Sequence, residues 1–112
     1  MNTTVNIVRT VEAAPGGLHI EPHIYEALAQ KLLEEIGWRN YISTTLEVED
    51  GDRFFRFVCA AVIYRRDEQW PEGVFEVISD IVPVWWELHS FQDGEEVLND
   101  ATFNELKRYL IE

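Results

Sequence analysis

The sequence predicts an α+β fold, in which an antiparallel meander of three or four strands follows one helix and precedes a short second helix. Three observations support this prediction. Apolar residues recur every three or four positions over residues 22–36, strand-like runs fill residues 41–91, and turn sequences divide those runs. We expect one domain over residues 1–112, because a chain of this length can fill only one core.

The first 17 residues are predicted to contain an edge strand and a connector. β-Branched residues are frequent over residues 3–12, which favours a strand. Pro15, Gly16 and Gly17 follow and interrupt regular structure. The pattern leaves open whether this strand joins the sheet.

The first helix is predicted to begin at Pro22, which suits the first helical turn because its missing N–H is not needed there. Gly37 is placed where a left-handed C-terminal cap is expected. Between them lies an apolar stripe made of Ile24, Leu28, Leu32 and Ile36, widened by Tyr25, Ala29 and Leu33. We therefore expect one side of this helix to pack on the sheet.

The first two strands are predicted to form a tight hairpin. Residues 41–49 alternate between apolar and polar side chains, and a second strand is expected over residues 52–66. Asp50-Gly51 suits the two central positions of a two-residue turn. This turn would place Leu46 opposite Phe55.

A third strand is predicted over residues 73–91, after a six-residue turn at 67–72. That turn would place Phe55 opposite Val84. A run of this length is long for one strand, so we expect a bulge or bend near Ser79-Asp80 or near Pro83.

The C-terminal part is predicted to form a turn over residues 92–95 and then a short helix. Thr102 and Glu105 fit the capping-box pattern, in which a threonine side chain and a glutamate three residues later satisfy the first helical N–H groups. Phe103, Leu106 and Leu110 form the apolar stripe of this helix.

Both faces of the predicted sheet are largely apolar. The face that the first helix would cover collects Ile42, Leu46, Val48, Phe55, Phe57, Val82, Val84, Trp86 and Leu88. The opposite face collects Tyr41, Phe54, Val58, Val62, Tyr64, Phe75, Val77, Ile81 and Trp85, with a few polar residues between them. The C-terminal helix, the N-terminal segment or another molecule could cover this opposite face.

Large exposed apolar patches on proteins usually mark interaction sites. We therefore predict that the opposite face binds a partner. Its candidate contact residues are Trp85, Phe54, Tyr41, Ile81 and Val77.

The net charge of −12 is large for 112 residues. The first and third turns of a meander lie at the same end of the sheet, so we expect an acidic pole there. It comprises Glu47, Glu49, Asp50, Asp52, Asp93, Glu95 and Glu96. Repulsion is expected to raise the pKa of some of these carboxyl groups. Solvated turns, a divalent cation or a basic partner could each account for the cluster, although neither turn matches a calcium-binding loop.

The sequence predicts no catalytic residue, metal ligand or cofactor. Cys59 lies among apolar residues in a strand, and Pro22 places the helix start between His19 and His23. Asp80 is expected on the core face, where it would be a partnered acid, a base with a raised pKa or a sign of the bulge. No nucleophile elbow or phosphate-binding loop occurs.

The sequence thus favours a non-catalytic protein-interaction module that binds a second copy of itself or another protein, a basic one included. One alternative is an acidic inhibitor that imitates nucleic acid, and another is a small-ligand or metal-dependent enzyme. The charge opposes direct nucleic-acid binding. Neither a secretory signal nor a run of about 18 apolar residues is present, so we expect no membrane span and a cytoplasmic location.

Overall fold

The computed structural model of the chain describes residues 17–111. Helix α1 (Pro22–Ile36) precedes strands β1 (Tyr41–Asp50), β2 (Arg53–Trp70), β3 (Gly73–Gln92) and β4 (Glu95–Val97), and helix α2 (Phe103–Lys107) follows them. The strands form one antiparallel sheet in the order β1-β2-β3-β4. The predicted α+β meander is therefore confirmed, and its fourth strand is β4, which follows a tighter turn than the one predicted over residues 92–95. The strand predicted over residues 3–12 lies outside the described residues.

Helix α1 has the predicted bounds. Pro22 is its first residue, and Gly37 ends it with a positive φ of 47° while its N–H donates to the Leu33 carbonyl at 3.2 Å. Its buried side is formed by Ile24, Tyr25, Leu28, Ala29, Leu32 and Ile36. Over residues 17–111, no helix is long and apolar enough to cross a membrane.

The first hairpin turns one residue later than the sequence indicates. Asp50 pairs with Arg53, so Gly51 and Asp52 form the loop, and of these two only Gly51 has a positive φ, as in a type II′ turn. Leu46 consequently faces Phe57. The predicted pairing is wrong by two residues, but an even shift keeps every side chain on its predicted face.

The second hairpin is longer than predicted. Strands β2 and β3 stay paired up to Trp70 and Gly73, which leaves only two residues in the turn, and Phe55 lies opposite Ser90. The predicted six-residue turn and the pairing of Phe55 with Val84 are therefore wrong. Polar residues 67–69 belong to β2 because both faces of this part of the ribbon meet solvent, where polar strand residues cost little.

Bulges occur in β3 at both of the predicted places. Val84, beside Pro83, and Ser79, beside Asp80, have no pairing partner on β2. Each extra residue moves the following side chains to the other face of the strand.

The stretch of β3 between the bulges therefore carries side chains on faces opposite to those predicted. Ile81 lies in the core with 0% of its surface exposed, although we expected it on the partner-binding face. Val82, expected in the core, is 40% exposed on the opposite face, and Val84 is 66% exposed. The predicted faces of these three residues are wrong, because the prediction continued a strict alternation of side chains between the two faces through both bulges.

The end of the second hairpin projects from the body of the molecule. Strand β1 pairs with β2 only up to Val62, so residues 65–70 of β2 and 73–78 of β3 continue as a two-stranded ribbon, which we call the arm. The radius of gyration is 15.4 Å, whereas a compact domain of this length has about 13 Å. The arm makes the molecule elongated, with a longest dimension of 50 Å.

The core lies between one face of the sheet and the two helices. It contains Ile42, Leu46, Val48, Phe55, Phe57, Cys59, Ala61, Ile63 and Ile81 from the strands, and Phe103, Leu106 and Leu110 from the C-terminal part. Thr102 caps α2, since its Oγ1 accepts the Glu105 N–H at 3.1 Å. The Thr102 N–H donates to the Tyr25 hydroxyl oxygen at 3.3 Å, which ties α2 to α1.

Candidate functional site

The sheet face that points away from both helices, which we call the second face, is the candidate site. The helices pack only on the core face, as the members of the buried cluster show. No described side chain of the second face is fully buried. The large apolar side chains that are exposed on it are Tyr41, Tyr64, Trp70, Phe75, Val82 and Trp85.

Four of the five predicted contact residues lie on this second face. Tyr41 and Trp85 are about half exposed, and Phe54 is partly buried against the ring of Phe91. Val77 is partly buried on the arm, opposite Arg66. Ile81 is the exception, because the bulge at Ser79 turns it into the core.

The end of the second face near the first and third turns, the pole end, contains a cation between aromatic rings. The Arg56 guanidinium lies 5.5 Å from the centroid of the Phe54 ring and 5.8 Å from that of Phe91. Its Nε donates to the Glu47 carboxylate at 3.2 Å. Beside this group is an open depression of about 330 Å³, lined by Asp52, Phe54, Arg56, Phe91 and Gly94.

His89 forms a second charged group at the pole end. Its Nδ1 lies 2.7 Å from a carboxylate oxygen of Glu96, and its Nε2 lies 2.6 Å from one of Glu87. An ionised carboxylate only accepts hydrogen bonds, so this arrangement suits the protonated ring, in which both nitrogens donate. Burial alone would lower the pKa of His89, but the hydrogen bonds to Glu96 and Glu87 outweigh it and the pKa is raised.

The middle of the second face is apolar. The row formed by Tyr41, Val62 and Val82 crosses three strands, and Trp85 lies opposite Ala60 in the next row toward the pole. Tyr64 continues this apolar region toward the arm. These side chains together form an uncharged surface in the middle of the sheet.

The arm extends the second face with an aromatic tip. The Trp70 and Phe75 rings meet edge to face, with centroids 6.1 Å apart. Glu68 accepts hydrogen bonds from Trp70 Nε1 at 2.9 Å and from Arg66 at 2.6 Å, and these bonds lower its pKa. Arg65 points the other way and donates to main-chain carbonyls of the loop after α1. Residues 66, 68 and 70 therefore share the second face.

The predicted acidic pole is also brought together by the fold. The first and third turns lie side by side, since the Asp93 N–H donates to the Asp52 carbonyl at 3.0 Å. Arg53 lies within this group and donates to Asp50 at 2.6 Å. Hydrogen bonds from His23 and Arg53 lower the pKa of Asp50, so the expected rise is wrong for this residue. The rise was expected from the carboxylates alone, whereas cations lie between them in the fold.

One group in the described part of the chain has the composition of a metal site. Ligand atoms of Glu21, His23 and Asp50 lie within 4.8 Å of one another. Arg53, however, donates to Glu21 at 3.3 Å as well as to Asp50. A guanidinium already occupies the position of the cation, so the arrangement is a set of ion pairs at the start of α1.

Two further residues that the sequence raised as candidates, Cys59 and Asp80, have surroundings that indicate structural roles. Burial raises the pKa of Cys59 to about 12, so its thiol is not ionised at neutral pH and is a poor nucleophile. Asp80 accepts hydrogen bonds from Lys107 at 3.0 Å and from the Ile81 N–H, which lower its pKa. Neither residue has the properties of a catalytic base or nucleophile.

Arg56 and His89 were not selected from the sequence. The sequence does contain a signal for this charged group. When the strands are paired in the observed register, Arg56 lies directly between Glu47 and His89 across three strands. The predicted register misplaced these neighbours.

No protein-family model, no curated protein and no solved structure matches the chain.

Proposed function

We propose that this protein is a non-catalytic interaction module that self-associates through the second face of its sheet. The observation that carries the proposal is the exposed apolar surface of a sheet whose described helices both lie on the other side. An antiparallel sheet with one solvated face normally shows polar residues there. The second face instead presents aromatic and branched side chains over its middle and its arm.

The exposed surface is large enough for a stable interface. Five aromatic side chains are each about half exposed, namely Tyr41, Tyr64, Trp70, Phe75 and Trp85. Together they offer roughly 500 Å² of contact area. A standard interface uses roughly 800 Å² per partner, and the remaining side chains of the second face can supply the difference.

A second copy of the chain fits this surface better than a basic partner does. Apart from Glu49, the charged groups at the pole end of the second face already have partners within the chain, as Arg56 pairs with Glu47 and His89 with Glu87 and Glu96. A basic partner would have to break these pairs. An apolar partner surface leaves these ion pairs intact, and another copy of the chain provides such a surface.

A cytoplasmic location is part of this proposal.

Size-exclusion chromatography with light scattering tests the proposal. We expect a mass near twice 13.1 kDa that does not change between low and moderate salt, because apolar burial is insensitive to screening. A monomer at high micromolar concentration would overturn the proposal, whether the first 16 residues or a different protein then covers the face.

A matched pair of variants locates the interface. Val82 on the second face and Leu33 on α1 are 40% and 38% exposed, so glutamate adds the same charge at equally exposed sites on opposite sides of the molecule. We expect Val82→Glu to be monomeric and Leu33→Glu to remain dimeric. Equal behaviour of the two variants would place self-association elsewhere.

The alternative of an acidic imitation of nucleic acid has less support. Arg53 and Arg56 lie within the acidic pole and pair with Asp50 and Glu47, so its surface is not uniformly negative. Replacing Asp52 and Glu95 with their amides removes exposed carboxylates from this pole. The alternative requires this change to weaken competition with DNA for a basic protein, whereas our proposal requires unchanged self-association.

A further inference from the structure

The second face is arranged so that its two ends complement each other. In β2, Val62 lies eight residues from Phe54 at the pole end and eight residues from Trp70 at the tip of the arm. The pole end offers the depression beside Phe54, Arg56 and Phe91, while the arm ends in an exposed indole. A depression at one end and a half-exposed aromatic side chain at the other suit a twofold contact between identical faces.

We propose that two copies pair antiparallel about a twofold axis at the Val62–Val82 row, and that Trp70 of each copy enters the pole-end depression of the other. The inference rests on the proposed self-association and adds its geometry and its anchor residue. Trp70 would lie against the ring pair of Phe54 and Phe91 and the guanidinium of Arg56. Tryptophan anchors of this kind dominate the binding energy of many interfaces.

Charges along the arm support this arrangement. With the axis at residue 62, Arg66 of one copy faces the row of residue 58, which contains Glu87. Glu68, which pairs with Arg66 within the arm, faces the row of residue 56, which contains Arg56 and His89 together with Glu47. Opposite charges therefore meet at both positions, and complementary charges of this kind fix the register of an interface.

The acidic pole opposes a twofold arrangement of the same faces with the axis parallel to the strands. An axis parallel to the strands would place the two poles side by side, each with seven carboxylates, of which only Glu47, Asp50 and Glu96 have an arginine or histidine partner. Like charges this close oppose association at ordinary ionic strength. An axis across the strands places the poles at the two far ends of an elongated dimer.

Substitution of the anchor gives a direct test. We expect Trp70→Ala to raise the dissociation constant of the dimer by about 30-fold or more, as for a buried tryptophan anchor. Trp38 is the control, because it is 88% exposed in the loop after α1. We expect Trp38→Ala to leave the dissociation constant unchanged. Equal constants for the two variants would overturn the role of Trp70.

Cross-linking of mixed variants tests the orientation. Glu49 is exposed in the pole-end row of Phe54, and Glu72 is exposed in the turn at the tip of the arm. Native Cys59 is buried and does not interfere. We expect a short bismaleimide to link Glu49→Cys to Glu72→Cys when the two variants are mixed, with little linkage of either variant to itself.

The outcomes separate this inference from the proposal beneath it. Linkage within each variant alone would mean that the poles lie side by side, and it would overturn the antiparallel arrangement. Absence of any linkage between variants that still show the dimer mass would overturn the arrangement and leave self-association intact. A monomeric mass for the wild-type chain would overturn both.

Discussion

The two faces of this sheet are built from similar side chains but have different surroundings. Phe54 and Phe55 are adjacent in β2 and necessarily point to opposite faces. Phe55 is fully buried under the helices, whereas Phe54 keeps part of its ring exposed against Phe91. The composition of a strand therefore shows that a face is suited to burial. The rest of the chain decides whether that face becomes core or interface.

The largest effect that separates the two faces is expected from these adjacent phenylalanines. Phe55→Ala should lower the free energy of unfolding by about 3–5 kcal/mol, because it leaves a cavity in a closed core. Phe54→Ala should cost about 1–2 kcal/mol, since the ring is only partly buried and pairs with the Phe91 ring and the Arg56 guanidinium. Urea denaturation monitored by circular dichroism measures both. Equal losses would mean that the second face is as tightly covered as the core.

A second comparison uses serines on the two faces. Ser90 is fully buried, and its hydroxyl donates to the Val97 carbonyl at 2.8 Å and accepts from Asn99 Nδ2 at 3.0 Å. Ser90→Ala leaves that carbonyl without its donor, so we expect a loss of about 1–3 kcal/mol in unfolding free energy. Ser43, exposed on the second face, is the control, and its alanine variant should stay within about 0.5 kcal/mol of wild type.

The same denaturation experiment measures this difference. If Ser43→Ala were as destabilising as Ser90→Ala, the polar residues of the second face would be engaged in the free chain. That result would weaken the distinction between a closed face and an open one.

The sequence predicted the fold and the two-faced sheet because both depend on periodicity alone. Helix α1 was predicted at its observed bounds, since Pro22, the four-residue stripe and Gly37 all act within the helix itself. The faces of the first hairpin were also right despite the displaced turn, because an error of two residues preserves alternation. Local chemistry was sufficient for these features.

Features that depend on exact pairing could not be predicted from the sequence. A bulge was expected in β3, but nothing local to Ser79 or Val84 shows which residue lacks a partner, so Ile81 was placed on the wrong face. The arm was missed because polar residues of a solvated ribbon resemble a turn. The contacts of Arg56 and His89 depend on neighbours brought together by three strands, and a small register error removes them.

The smallest expected effect concerns His89 and its dependence on pH. Because the pKa of His89 is raised in the folded chain above the ordinary value of 6.5, its bonds to Glu87 and Glu96 contribute stability that is fully present below that value. The contribution is lost as the pH rises through the folded pKa. We therefore expect His89→Gln to reduce the free energy of unfolding more at pH 5.5 than at pH 9.

The charged groups around His89 determine which control variant is suitable and over which pH range the two variants are compared. Glu87 on β3, Glu96 on β4, and Arg56 with Glu47 on the neighbouring strands are the charged groups that face it. Measurements at pH 5.5 and above lie above the ordinary pKa values of carboxyl groups. His19→Gln is the matched control, because His19 bonds only one carboxylate, Asp100, in an exposed position.

The size of the two histidine effects bears on the nature of the second face. A charge held by two carboxylates in a partly buried position is coupled to folding, whereas an exposed ion pair contributes little because solvent screens it. We expect the pH-dependent loss to be larger for His89→Gln than for His19→Gln. A pH-independent loss for His89→Gln would mean that the ring is neutral in the folded chain. The pole end of the second face would then carry an uncompensated negative charge, which would favour a basic partner over a second copy.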